Sequence, residues 1–183
     1  MNDVIKMQWA NIEANEKFFC IETCSGYAGA SMRDTKGKRH LLSHDADDSQ
    51  LGEALIDALA HSRFVLPERR TDVWTHPEAE YDAELYDHRS SQKAEQYKAW
   101  IKELLVRYGY KSQRAMFRKM NKCRATQYGS KIHIAPSHHE TSGGWSGDGF
   151  TEADTVVVSE NSSTTEIGAA IRLALSRCTS AIA

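Results

Sequence analysis

An α+β fold, in which a mixed or antiparallel sheet carries packed helices and is built from two related β-β-β-α halves, is predicted by three observations. Residues 39–62, RHLLSHDADDSQLGEALIDALAHS, lie without a gap over residues 155–178, TVVVSENSSTTEIGAAIRLALSRC, so a strand, a polar loop and a helix are written twice. Both helical segments space their apolar or small residues at i, i+3, i+4 and i+7, the stripe of a helix buried on one side. Short β-prone runs broken by turn residues precede each copy, the pattern of a sheet with helices packed on a face.

The first half begins with residues 18–23, β-prone and closed by Cys24-Ser25-Gly26 as a turn. A weaker strand over 28–33 ends at Asp34-Thr35-Lys36-Gly37, and 38–43 forms the next strand. Asp47 stands three residues before Gln50, a capping-box pattern that opens a helix. Leu51, Ala54, Leu55, Ala58, Leu59 and Ser62 then form its dry face. In the second half, 123–128 and 131–135 flank the hairpin turn Gly129-Ser130, and 155–158 is the third strand. Ser163 and Glu166 repeat the capping box ahead of Ile167, Ala170, Ile171, Ala174, Leu175 and Cys178. Gly52 and Gly168 fall early in the two helices, where glycine costs up to about 1 kcal/mol relative to alanine, so a close approach of backbone to sheet is expected.

Between the copies, residues 67–88 are acidic and aromatic without a period and read as an ordered loop or short helical turns. Residues 91–108 form a strong helix with Tyr97, Ile101, Leu104, Leu105 and Tyr108 on one face and Gly109 as its stop signal. A shorter helix follows over about 112–121, with Met116, Phe117 and Met120 inward and Arg114, Arg118, Lys119 and Lys122 on a solvated basic face. The organisation is thus one domain over 1–183, with the repeat at about 17–63 and 122–179 joined by a helical, acidic insert over 64–121.

A chain of 183 residues that is 40% apolar buries a real core, and its three prolines and eleven glycines are too scattered to mark a linker. No window approaches a membrane span, and the polar start lacks a secretory signal, so a cytoplasmic protein is expected. Cys20, Cys24, Cys123 and Cys178 are read as buried, reduced thiols, since residues four apart on a strand lie too distant to bridge. A formal charge of −2 argues against a general nucleic-acid binder and leaves a basic patch open.

Catalytic patterns are absent. His138-His139-Glu140 offers metal-ligand chemistry, but neighbours on an extended segment point to opposite sides. His133 alternates with Ile132 and Ile134 as an outward strand residue. The glycines around Trp145 lack the strand, lysine and spacing of a phosphate cradle and read as a loop displaying that tryptophan. No nucleophile elbow occurs, so no cofactor, metal or small-molecule substrate is expected.

Four stretches carry a family resemblance: YKSQRAMFRKMNKC at 110–123, SKIHIAPSHH at 130–139, GWSGDGFTEADTVVV at 144–158 and TTEIGAAIRLALSRC ending at Cys178. In this order they resemble the immunity proteins of bacterial contact-dependent growth inhibition (CDI) systems. The resemblance spans most of the C-terminal half and, through the repeat, residues 41–63. It implies a non-enzymatic cytoplasmic protein that binds the C-terminal toxin domain of a cognate effector; many such toxins are nucleases. Two rival classes stay open. A small metal-dependent hydrolase would gather His138, His139, Glu140 or Asp148, and a nucleic-acid-binding regulator would align Arg114, Arg118, Lys119, Lys122 and Arg124.

A nuclease presents a basic cleft, and carboxylates offered to it raise association rate and specificity. Two acidic surfaces are candidates for gripping the toxin. One is the loop ahead of the first helix, with Asp45, Asp47 and Asp48; the other is the insert, with Trp74, Glu78, Glu80, Tyr81, Asp82, Glu84, Tyr86 and Asp87. Aromatic anchors among charges favour the second.

Overall fold

The computed structural model describes residues 4–182; Met1–Asp3 and Ala183, counted in the 1–183 domain above, lie outside the described residues. In chain order the elements are β1 (Gln8–Ala14), β2 (Phe18–Tyr27), β3 (Ala30–Arg33), β4 (Arg39–Ser43), α1 (Asp48–Ala60), β5 (Val65–Leu66), β6 (Glu80–Tyr81), α2 (Ala83–Tyr86), α3 (Ser91–Tyr108) and α4 (Gln113–Phe117). They continue with β7 (Asn121–Tyr128), β8 (Lys131–Pro136), β9 (His138–Thr141), β10 (Gly144–Ser146), a 3-10 turn at Glu152–Asp154, β11 (Val156–Ser159), α5 (Thr164–Arg177) and β12 (Thr179–Ser180).

The main sheet runs β11-β8-β7-β1-β2-β3, with β4 also on β2, and every pairing in it is antiparallel. β1 and β7 form its middle, β2 and β8 flank them, and β4 pairs with β2 as β11 pairs with β8. The three-strand count of each half therefore depends on β1, which the sequence reading did not see. Its apolar side, Ala10, Ile12 and Ala14, is mostly small, so the period-2 signal is weak even though all three are buried. The strand at 30–33 lies outside the matching pattern, as do β9 and β10.

A second boundary moves for a polar reason. Cys24-Ser25-Gly26 is a strand interior instead of a turn, because the buried Ser25 hydroxyl donates to Asp34 at 2.6 Å and the Gly26 N–H donates to the Arg63 carbonyl. The reversal comes at Ala28 and Gly29, both with positive φ, as a tight hairpin with primed turn geometry requires.

α1 and α5 cover one face of the sheet. Leu51, Leu55, Leu59, Ile167 and Ile171 meet Ile12, Ile21, Ile132 and Ile134 there, each side chain contributing about 1.5–3 kcal/mol on burial. Gly52 and Gly168 mark a close approach, but to the partner helix and not to the sheet: a Cβ at Gly52 would meet the Thr164 carbonyl oxygen at 1.9 Å, and one at Gly168 that of Asp48 at 1.8 Å. On the opposite face α3 and α4 bury Phe18 and Cys20 beneath Ile101, Leu104, Met116 and Phe117. α4 stops at Phe117, shorter than expected, because Asn121 onward must join β7 beside β1.

Both capping boxes are formed, Asp47 with Gln50 and Ser163 with Glu166. Asp47→Ala and Ser163→Ala are each expected to cost about 1 kcal/mol in urea denaturation, with unchanged slope.

Candidate functional site

The two predicted acidic surfaces lie at opposite ends of α1. The loop with Asp45 leaves β4 where Ser43 pairs with Phe18, whereas the insert begins beyond the C-terminus of α1 and docks near Gly26, at the other end of β2. A helix of thirteen residues separates them by about 20 Å. They do not merge into one compact patch.

Near the first loop, several carboxylates already have work within the fold. Asp47 accepts from Gln50 N at 2.8 Å as the N-cap. Asp48 pairs with Arg172 of α5, which also donates to the Ala46 carbonyl. Asp45 is exposed, and the Ser43 hydroxyl holds its carboxyl below the usual range. Of this trio, Asp45 bonds locally, to Ser43 at the end of β4, and not to a helix.

The insert is pinned down by a charge network that sequence reasoning missed. Arg63, just past α1, grips the buried Asp34 through two nitrogens at 2.7 and 3.0 Å and reaches Asp82 at 2.8 Å. Lys36 joins Asp82 at 2.8 Å and Glu84 at 3.0 Å. For Asp82 the Lys36 ammonium, then Arg63, hold the carboxyl far below the carboxylate range. For Asp34 burial pushes upward, but the Arg63 and Ser25 hydrogen bonds outweigh it and the net direction is down. Asp82 also caps α2 by accepting from Glu84 N. It is a structural residue, and half-buried Tyr86, whose hydroxyl donates to the Val65 carbonyl, is another. The only local sign of this network was a lone arginine after the helix, with partners about twenty to thirty residues away in both directions.

What remains outward on the insert mixes aromatic, acidic and basic residues, with Arg69 lying over the Tyr81 ring and Arg70 paired with Asp72. Glu80 and Tyr81 lie on β6, which runs parallel to β5, and both are exposed. Trp74 is 63% exposed and meets His76 edge-on, while His76 leans edge-on against Phe64 in the small core with Trp9 and Cys24. Glu84 and Asp87 are exposed, and Glu78 is exposed with an ion pair to Lys6. The fold thus displays Trp74, Tyr81, Glu80, Glu84 and Asp87 from a segment whose base is fixed.

The residues of the rival readings are dispersed. His138 shares a hydrogen bond with the Thr179 hydroxyl, while His139 is buried and stacks on Trp145 at 4.2 Å. Among the described residues no group of three or more His, Cys, Asp or Glu is placed to hold a metal ion. Of the basic set, Lys122 lies over the Trp145 ring and pairs with the buried Glu13, and Arg124 donates to Gly29 O and the Ser31 hydroxyl. Arg114 and Arg118 line a separate cavity with Ser112 and Ser142.

A groove that sequence reasoning also missed runs over the second half of the sheet, on the face away from α1 and α5. Trp9, Arg124, Thr126, Tyr128, His133 and Val157 line a cavity of about 500 Å³ there. Tyr128 and His133 stack at 4.3 Å across β7 and β8. The available signal was the alternation Arg124, Thr126, Tyr128 along a strand whose intervening residues face the core.

Comparison with known proteins places this arrangement. The model of the CdiI family, described as CDI immunity protein, matches residues 8–178. The chain is 48% identical over 178 residues to the immunity protein CdiI-YPIII of Yersinia pseudotuberculosis serotype O:3 (strain YPIII), covering 97% of this chain and 99% of the relative. Its structure is similar, with a TM-score of 0.90 and 47% identity, to a chain of a CdiA-CT/CdiI toxin and immunity complex from Y. pseudotuberculosis, covering 97% of this chain and 100% of that one. It also resembles the protein NMB0488 of unknown function from Neisseria meningitidis, with a TM-score of 0.74, 32% identity and coverage of 97% and 99%. Among the described residues no helix is long and apolar enough to cross a membrane. With the family model spanning nearly the whole sheet-and-helix scaffold, the chain belongs to the CdiI family of CDI immunity proteins.

Proposed function

We propose that this protein binds and neutralises the C-terminal toxin domain of a cognate contact-dependent growth inhibition effector in the cytoplasm, by binding alone and without a reaction of its own. The observation that carries this reading is the end-to-end match, at a TM-score of 0.90, to a chain from a solved toxin and immunity complex. The toxin is a nuclease, and the surface that meets it is the outward side of the insert. Support for the surface is chemical: exposed Trp74 and Tyr81 supply anchor area, and Glu80 and Asp87 supply negative charge, with Glu84 beside them already paired to Lys36. Asp82 and Tyr86 hold that surface in place. Asp45 is the alternative contact, about 20 Å away along α1.

The test is co-purification and growth rescue with the toxin domain encoded beside this protein's gene. Trp74→Ala is expected to weaken capture by roughly 30-fold, the loss of about 2 kcal/mol that a central aromatic anchor carries. Glu80→Lys with Asp87→Lys is expected to slow association about tenfold and flatten its salt dependence, at an unchanged thermal midpoint. Retained binding in both variants, with Asp45→Lys defective, moves the interface to the first loop. Toxin that fails to degrade nucleic acid removes the nuclease part of the reading, and failure of the wild type to bind or rescue removes the reading as a whole.

A further inference from the structure

Cys123 and Cys178 hold a geometry that lies outside the surface proposed above for the toxin. Cys123 lies on β7 and is buried, while Cys178 caps the C-terminus of α5 and is half-buried. Their sulfurs stand 3.6 Å apart although the residues are 55 positions apart in sequence. The Cys178 thiol is also within reach of the Lys122 carbonyl at 3.3 Å and that of Ala174 at 3.7 Å. The other two thiols differ in every respect. Cys20 and Cys24 are sealed in the opposite face of the sheet and lie about 13 Å apart along one strand.

We propose that Cys123 and Cys178 are a modification site: a dithiol that hydrogen peroxide converts into a disulfide, fastening the end of α5 to β7. The Cys178 sulfur, the more exposed of the two, attacks the peroxide oxygen. The O–O bond breaks and water leaves, giving a sulfenic acid at Cys178. The Cys123 sulfur then attacks the Cys178 sulfur, the S–O bond breaks, and the departing hydroxyl takes the thiol proton as a second water. The two thiols lose two hydrogens and two electrons, and one hydrogen peroxide becomes two waters.

Distance supports the second step, because a separation of 3.6 Å closes to a bond of about 2.05 Å by small side-chain movement. Reactivity supports the first. The hydrogen bond shared with Cys123 eases proton loss from Cys178, whereas burial raises Cys20 and pushes Cys24 up to about 12. The bond would fall where the chain leaves α5 for β12, which pairs with β9 through Thr179 and Ser180. Oxidation would therefore pin the junction between the two sheets, in a chain otherwise expected to keep its thiols reduced.

The experiment treats the whole wild-type protein with hydrogen peroxide, removes the oxidant, unfolds the protein in urea, alkylates the remaining thiols and maps peptides without reduction. The expected result is one cross-linked pair joining Cys123 to Cys178, alkylated Cys20 and Cys24, reversal by dithiothreitol, and a raised thermal midpoint. In Cys123→Ser, Cys178 is expected to be trapped as a sulfenic acid by dimedone with no cross-link. The proposal is overturned if Cys178 stays alkylatable in the wild type, if its sulfenic acid accumulates there unlinked, or if any other cysteine pair forms.

Discussion

Gly168→Ala lowers the stability of this protein by about 3 kcal/mol and its thermal midpoint by roughly 6–12 °C, with Gly52→Ala close behind. The expectation follows from what a single methyl would strike. At Gly168 it meets the carbonyl oxygen and carbon of Asp48 at 1.8 and 2.5 Å; at Gly52 it meets those of Thr164 at 1.9 and 2.6 Å. These are backbone atoms in the first turns of α1 and α5, which cannot swing aside as a side chain does. Relief requires the helices to part, and parting them loosens the Ser49–Thr164 hydroxyl contact, the Arg172–Asp48 ion pair and the core below. Because one separation serves both methyls, the double variant should cost clearly less than the sum of the single ones. Gly109→Ala is the control: its added methyl meets nothing within 4 Å, and only its φ of 68° opposes alanine, at about 1 kcal/mol. Urea denaturation of the wild type and the four variants decides the matter, and equal midpoints for Gly168→Ala and the wild type would show that the helices are not in backbone contact.

Arg63→Ala is expected to be the most damaging charge deletion, at about 3–5 kcal/mol, since it strands a carboxylate inside the fold. Asp34 keeps only 1% of its side-chain surface, and Arg63 supplies two of its hydrogen bonds while also tying Asp82. The pH dependence identifies the cause. In the wild type the folded-state pKa of Asp34 is depressed, so its contribution is fully present above the unfolded value near 3.9 and is lost as pH falls through the lower folded value. In the variant burial acts without the guanidinium, and protonation of Asp34 relieves the stranded charge. The gap between the two proteins should therefore be widest at neutral pH and narrow below about pH 4. A gap independent of pH would mean that the loss is one of packing and not of charge. Disruption of this network should also loosen residues 67–88, so toxin capture should fall in Arg63→Ala even where the protein remains folded.

Helix ends marked by a capping box or a terminal glycine read well, because those signals act within four residues; Asp47, Ser163 and Gly109 do what their positions require, whereas α4 stops at Phe117 and not near 121. β1 was missed because Ala10 and Ala14 bury little per residue and give the alternation no amplitude. Ser25 was misread because a buried serine and a turn serine look alike until Asp34 is brought beside it. Of the candidate contact residues, Asp82 and Tyr86 also brace the insert and Asp47 and Asp48 serve as helix cap and interhelix partner, while Trp74, Glu78, Glu80, Tyr81, Glu84, Asp87 and Asp45 are exposed, Glu78 and Glu84 with lysine partners.

By itself the sequence determined the repeat, the helix ends that carry a capping box or a terminal glycine, the need for two glycines and the family, since these rest on local spacing and on motifs in order. Only the tertiary structure decided what each glycine presses against, which carboxylates are already consumed by Arg63 and Lys36, and that Cys123 stands beside Cys178. Those facts depend on pairs far apart in the chain. A residue's type fixes the charge or methyl it brings, but the free energy depends on the partner's distance and on exclusion of water, which exist only once the sheet has closed around β1 and β7.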